Sequence, residues 1–454
     1  MRIKSLKELY INFSRASSTK VVQEYRAKYE GIAEILEKNP EVISLAHRDW
    51  ARMLSESRSG RRSGYTSEQM LRAVIVMFVE GGSYRQTVIQ IENSEFLRHF
   101  VGLGPKPMMD YTFLSKAFGS LSAETWQAMN QALTGYAAKE DKITGEKLRL
   151  DTTVYETNIH YPTDGSLLWD SFRTLARILK KVQKEFPELA FRHRYHVKKV
   201  KKLSYFIARN GRSKNKSKRR KVKRVYRTLI SRVRWIVGVA EEMLDVLGWD
   251  NSQGKELGHY IALVHRIIDQ AEKRVFEGII LPANHKVYSL FEEHTELLIR
   301  GKARKPVEFG HKVVLAQTKE KFIHHYEVLP QQRNDAELLE PTITRHERLF
   351  GEAPDVLAAD KGFYKNMEQI EDLEETIETV SIGKKGRRTP EQQARERTEA
   401  FAAGQRFRAG CEGSISVLKR VFKLGLCLFK GFKHYAASVG CAVFCHNLIL
   451  LTRL

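Results

Sequence analysis

Cysteine is scarce in this chain. There are four in 454 residues, Cys411, Cys427, Cys441 and Cys445, all late in the sequence. So few, clustered at one end, make no disulfide scaffold and suit a reducing compartment. Cys441 and Cys445 stand four apart on an apolar helical pattern. Only His446 lies near, off their face, and no second pair completes a zinc site, so core packing is the expected role. Long apolar runs are missing too. No window approaches the roughly 20 apolar residues that span a bilayer, and the opening MRIKSLKELYINFSRASS lacks the unbroken stretch of a signal peptide. The most apolar segment, Ala436 to Leu451, carries His446 and Asn447 and reads as a buried helix. A cytoplasmic protein without membrane contact is the expectation.

The third shortage is of acid. Lys and Arg number 77 against 54 Asp and Glu, a formal charge of +23. A compact chain this basic repels itself, and the usual compensation is a polyanionic partner. Nucleic acid fits best; an anionic membrane surface competes, but no amphipathic anchor or lipidation motif supports it. The shortage is local as well as global. No Asp or Glu occurs between Glu188 and Glu241, while the 191–235 stretch carries 19 Lys or Arg. A charge run is usually a solvated face, yet soluble helices normally interleave both signs. This run therefore reads as a grip on the DNA backbone through Lys198, Lys199, Lys201, Lys202, Arg219, Arg220, Lys221, Lys223 and Arg224. Such contacts position a duplex without reading its sequence. Tyr195, Tyr205, Phe206, Tyr226 and Trp235 interleave with the basic residues, and NGRSKNKSKRR is expected as a flexible tip between two antiparallel helices.

What is present is enough for about two or three domains. Hydrophobic residues make up 42% and charged residues 29%, which permits a large core and argues against wholesale disorder. Residues 1 to about 60 show helical spacing, and SESRSGRRSG (55–64) reads as a linker. Thr66-Ser67-Glu68 caps a helix that Gly81-Gly82 ends; Ser83 and Asp110 open two more. Short helices with tight turns in a basic chain suggest a helix-turn-helix-like reader at about 60–130, with a plain dimerising bundle as the alternative. From about residue 145 the pattern turns to strand: KLRLDTTVYETNI, then EFGHKVVLAQT, KFIHHYEVLP and DVLAAD. The middle two are separated by Lys319 and Glu320 as a hairpin. A helix entered at Asn334 or Asp335 precedes the last. Strand, hairpin, helix, strand is the opening of a ribonuclease H-like α/β layer fold, interrupted by a long helical segment.

Three acids stand out by location. Asp151 lies mid-strand, where propensity disfavours it, and a salt-bridge partner is the plain alternative. Asp360 ends an apolar strand before a glycine turn; strand carboxyl ends are where sites gather, though Asp there is also ordinary turn chemistry. Glu412 has informative neighbours. Arg408, Glu412 and Lys419 fall at i, i+4 and i+11, within about 40° of one another around a helix. An exposed ion-pair helix is the alternative, but Ile415, Val417, Leu418, Val421 and Phe422 make the rest apolar enough to bury. Asp164 and Asp335 read as helix N-caps. His311, His324 and His325, in the hairpin near the expected site, read as satisfied structural histidines. Glu156 points to the opposite sheet face from Asp151.

These residues resemble a family, the DDE transposases of bacterial insertion sequences, and look closest to the ISNCY-type group. The anchors are LDTTVYETNIHYPTD around Asp151, FGHKVVL at 309–315, AADKGFY around Asp360, and the last-acid helix. That helix carries Arg408, Glu412 and Lys419 in the family's register, with Gln405 where the family has Tyr. The resemblance spans about 60–454. It implies a ribonuclease H-like catalytic core (145–163 and 307–454) split by a basic all-α insertion (164–306), and an α-helical N-terminal region (1–140). Asp151, Asp360 and Glu412 would be both the catalytic residues and the ligands of two Mg²⁺ ions, with Mn²⁺ as a substitute. Asp151 would bridge the two ions. Arg408 and Lys419 would contact DNA. Partners would be terminal inverted repeats and target DNA, engaged as a homodimer or higher multimer. Two rivals stand beside this reading: a metal-dependent nuclease without strand transfer, and a non-catalytic DNA-binding protein derived from a transposon.

Overall fold

The computed structural model describes residues 19–55, 64–189, 193–299 and 305–454. The linker at 55–64 falls almost wholly outside these, as do residues 1–18 and the start of the basic run at Phe191 and Arg192. Two compact units form: Thr157–Gly310, and the chain before and after it.

In the first unit, helices α1 (Lys20–Lys38), α2 (Pro40–Ser55), α3 (Ser67–Val79), α4 (Tyr84–Glu92), α5 (Glu95–Val101), α6 (Tyr111–Ser120) and α7 (Ala123–Lys139) precede strand β1 (Lys147–Thr157). Their starts obey capping chemistry. Thr66 and Ser83 form capping boxes with Gln69 and Gln86, and Asp110 accepts from the Thr112 amide. The second unit holds α8 (Asp164–Glu185), α9 (Val197–Asn210), α10 (Lys216–Leu247), α11 (Ser252–Glu272) and β2 (Glu296–Ile299). β3 (Val307–Gln317) runs from the second unit into the first. It is followed by β4 (Ile323–Val328), α12 (Leu339–Phe350), β5 (Val356–Ala359), α13 (Met367–Glu374), β6 (Thr379–Ile382), α14 (Pro390–Glu396), α15 (Glu399–Arg420), β7 (Leu426–Cys427) and α16 (Phe432–Leu451).

The sheet of the first unit has the order β4-β3-β1-β5-β6, with β7 added beside β1. β3 and β4 are antiparallel, whereas β1, β5 and β6 are parallel. Leu148, Leu150, Leu357 and Ala359 bury one face against Leu339 and Ile343 of α12 and Ile370 of α13. Tyr155, Val313 and Leu315 bury the other in a core with Tyr435 and Phe444 of α16 and with the N-terminal helices. A mixed sheet flanked by helices in this order is compatible with a ribonuclease H-like fold. The helices before residue 140 are not a separate body: Trp126, Leu133 and Phe118 share that core with the sheet.

α16 is long and apolar enough, by length and composition, to cross a membrane, but 83% of its apolar window is buried in this core. Cys441 and Cys445 lie inside it as free thiols. Asn447 is fully buried and binds one residue of β4 twice: it accepts from Ile323 N–H (3.0 Å) and donates to Ile323 C=O (2.9 Å). Leucine there would strand both backbone groups, at about 1–3 kcal/mol for each. Asn447→Leu is therefore expected to lower unfolding free energy by about 2–6 kcal/mol in urea titrations; a loss below about 0.5 kcal/mol would show that the strand edge does not need this clamp.

Several local expectations need correction. The β3–β4 connection is longer than Lys319-Glu320: Lys321 N–H closes on Thr318 C=O with Lys321 at φ 71°, a left-handed residue that local sequence does not announce. Pro341 is harmless because it sits in the first turn of α12, where its missing N–H would have no intrahelical partner. The connection expected as the tip shrinks to 211–215, since Asn215 caps α10 and KSKRR is already helical. Asp164 and Asp335 are not caps; Thr163 and Asn334 are. Asp164 is buried and paired with Arg274 at 3.3 Å, and Asp335 receives Lys312 Nζ at 2.7 Å.

In the second unit α9 and α10 pack through Val200, Ile207, Val222, Tyr226, Leu229, Ile230 and Val233. Lys198, Lys199, Lys201, Lys202, Arg219, Arg220, Lys221, Lys223 and Arg224 are all exposed. Amphipathic spacing explains this: the apolar positions take the inner stripe and turn these cations outward.

Candidate active site

β1 and β5 run in register from Lys147↔Val356 to Leu150↔Ala359. Asp151 and Asp360 are the next positions on these neighbouring parallel strands, which are spaced about 4.8 Å apart. Asp360 begins a 3-10 turn (Lys361–Phe363) without capping it, and its side chain is exposed. Asp151 is largely buried, with 14% of its side chain exposed. Leu148 and Leu150 point into the α12 side, so Asp151 points to the side covered by α15.

α15 supplies the third acid. Its N-terminus is capped by Thr398, and it lies across β5 and β6. Arg408 stands between two carboxylates: Nη1 is 3.6 Å from Asp151 Oδ2 and Nη2 is 3.7 Å from Glu412 Oε1. Sequence spacing anticipates the Arg408–Glu412 pair; the pairing with Asp151, 257 positions earlier, emerges only from the fold. Gln405 has a role that the sequence did not disclose. Its amide donates to Ser381 C=O of β6 (2.7 Å) while its Oε1 accepts from Arg408 Nε (3.3 Å). The residue that departs from the family's tyrosine thus fixes the guanidinium against the sheet. Lys419 lies two turns beyond Glu412, partly exposed.

Carboxylate oxygens are the donors that Mg²⁺ takes, and these three acids supply nothing else. Asp151 is linked to Asp360 by register and to Glu412 by a shared arginine. Among the described residues no three His, Cys, Asp or Glu side chains close to ion-holding distance as placed. Glu412, with 68% of its side chain exposed, has room to turn. The donor set, oxygen only, is of the kind a hard divalent cation takes.

The histidines of the hairpin have other partners. His311 Nδ1 meets Leu329 C=O at 2.9 Å, His324 Nε2 meets His346 Nδ1 at 3.3 Å, and His325 Nε2 lies 3.2 Å from Arg345. Burial lowers the pKa of His324, His325 and His346 and keeps them neutral, as structural groups.

Residues 267–448 match the family model for the transposase DDE domain. The match runs from α11 into α16 and includes Asp360, Arg408, Glu412 and Lys419, while Asp151 precedes it. No curated protein and no solved structure matches the chain. The matched family is one of enzymes that cut nucleic acid with divalent metal, and its substrate is DNA. The match covers 182 of the 454 residues, and over that stretch the chain is similar to insertion-sequence DDE transposases.

Proposed function

We propose that this protein binds the ends of an insertion sequence, cuts a strand there and joins the freed 3′ end to target DNA. The observation that carries the reading is the convergence of Asp151 and Asp360, on adjoining ends of β1 and β5, with Glu412 across the Arg408 bridge. Asp151, Asp360 and Glu412 would be the residues that hold two Mg²⁺ ions. Bound there, such ions activate the attacking oxygen and stabilise the leaving one in phosphoryl transfer.

The protein's own groups then have distinct work. Burial of most of the Asp151 side chain keeps bulk water off one side of the site. Arg408, held by Gln405, would present its guanidinium to a phosphate, and Lys419 continues that basic line. The exposed cations of α9 and α10 hold the backbone of the same DNA, and the capped helices α3 to α6 are the reader of the ends. A dimer or higher multimer, each copy bringing one end, is the expected assembly.

Cutting and joining are separable in one assay. Labelled end DNA, Mg²⁺ and a supercoiled target should yield joined products as well as nicks. Cleavage without any joined product would reduce the protein to a nuclease.

A further inference from the structure

Arg149 is a buried cation, 3% exposed, two residues before Asp151 on the same face of β1. Its guanidinium reaches two other elements. Nε donates to Gln317 Oε1 of β3 (3.1 Å), and Nη1 donates to Phe407 C=O of α15 (3.1 Å). The Phe407 ring lies 4.8 Å from the guanidinium carbon. Opposite it, α15 carries glycine: a Cβ on Gly410 would sit 2.1 Å from Arg149 Nη1, far inside contact distance. Phe407 and Gly410 flank Arg408 and precede Glu412. One planar fork therefore joins the strand of Asp151 to the turn of helix that carries Arg408 and Glu412. Burial lowers the Arg149 pKa, yet no pKa shift is needed for this geometry.

We propose that Arg149 is a positioning residue for the carboxylate site, setting the distance from Asp151 on β1 to Glu412 on α15 through the Phe407 carbonyl, with Gly410 as the gap that admits it. This rests on the assignment of Asp151 and Glu412 as metal ligands. The alternative role, a cation that only adds charge, predicts the opposite sign. A positive charge beside a divalent-metal site repels the ion, so removing it should tighten metal binding. If Arg149 positions the helix, removing it should weaken binding, by about 10–100-fold as for other residues that orient metal ligands.

The test is Mn²⁺ binding to the full chain, read from the free-ion electron paramagnetic resonance signal, with DNA affinity measured without metal as control. Arg149→Met is expected to weaken Mn²⁺ binding about 10–100-fold with DNA affinity unchanged. Arg149→Lys, which keeps the charge but not the fork, should fall between. Gly410→Ala keeps the charge and the arginine and improves helix propensity, yet should weaken Mn²⁺ binding by displacing the guanidinium. The double variant Arg149→Met/Gly410→Ala should bind no worse than the poorer single one, because both act through one contact.

Unchanged or tighter Mn²⁺ binding in Arg149→Met, alongside weaker binding in Asp151→Asn, would overturn the positioning role and leave the site standing. Unaltered binding in Asp151→Asn would overturn the site itself. Should Arg149→Met fail to fold, Gly410→Ala decides: wild-type Mn²⁺ affinity there overturns the proposal.

Discussion

Asparagine in place of Asp151 is expected to slow strand cleavage by at least about 10²–10³-fold, the scale on which losing one charge-stabilising group acts. The substitution keeps the shape of the side chain, and Asp151 is packed beside Arg408 and Glu412 rather than in an apolar core. Folding should therefore survive, with the Arg408–Glu412 pair still available. Affinity for end DNA without metal should hold or rise, since a negative charge near the phosphates has been removed. Reduced cleavage with undiminished binding is the outcome that assigns Asp151 to chemistry. Cleavage within a few-fold of wild type would remove it from the site and return it to a salt-bridge role.

A second large effect concerns acid. His325 and His446 are buried, and burial depresses both from 6.5 to about 4. Arg345 beside His325 adds to the depression, and it is itself drawn toward Glu327 at 3.5 Å. His446 faces the Lys321 carbonyl, 3.3 Å away, on the floor of the β3–β4 turn. In the unfolded chain these imidazoles protonate near pH 6.5, while in the folded protein they resist until about 4. The unfolded state binds more protons in that interval, so stability is whole above pH 6.5 and drains as pH falls toward 4. Each group accounts for about 3 kcal/mol. His324 and His346 pull in the same direction. Against a total of roughly 5–15 kcal/mol, that is a large share of the stability, lost progressively as pH falls from about 6.5 to 4. Urea midpoints measured from pH 7.5 to 4.5 should fall steeply, and His446→Met should flatten the curve. A midpoint independent of pH over that range would sink the claim.

Much of the fold could be read locally. Partial alternation marks β1, strand-rich runs mark β3 and β4 and a short apolar run marks β5, while side-chain oxygens at Thr66, Ser83 and Asp110 mark three helix starts, because all these signals depend on neighbours a few residues away. The site was legible only in part. Arg408 and Glu412 share a helix turn, so spacing alone pairs them. Arg149 has no such signature. In KLRLDT it alternates with leucines and reads as an ordinary outward residue; only the arrival of α15, some 250 positions later, makes that face an interior. Gln405 was visible as a departure from a motif, but its bond to Ser381 belongs to the packing of α15 on β6. The N-terminal helices mislead for the same reason. Their local pattern suggests a free-standing block, while Asn130 hydrogen-bonds the Gly440 carbonyl of α16 across 310 positions.

The interruption of the sheet has a consequence for synthesis. Strand β1 is made early, but its neighbour β5 follows only after the whole of Thr157–Gly310, which has a hydrophobic core of its own. Asp151 therefore waits for Asp360 until the ribosome has passed the basic helices. No nascent chain can complete the cluster of acids without already carrying α9 and α10. On the proposed reading, the capacity to cut is never born before the capacity to hold.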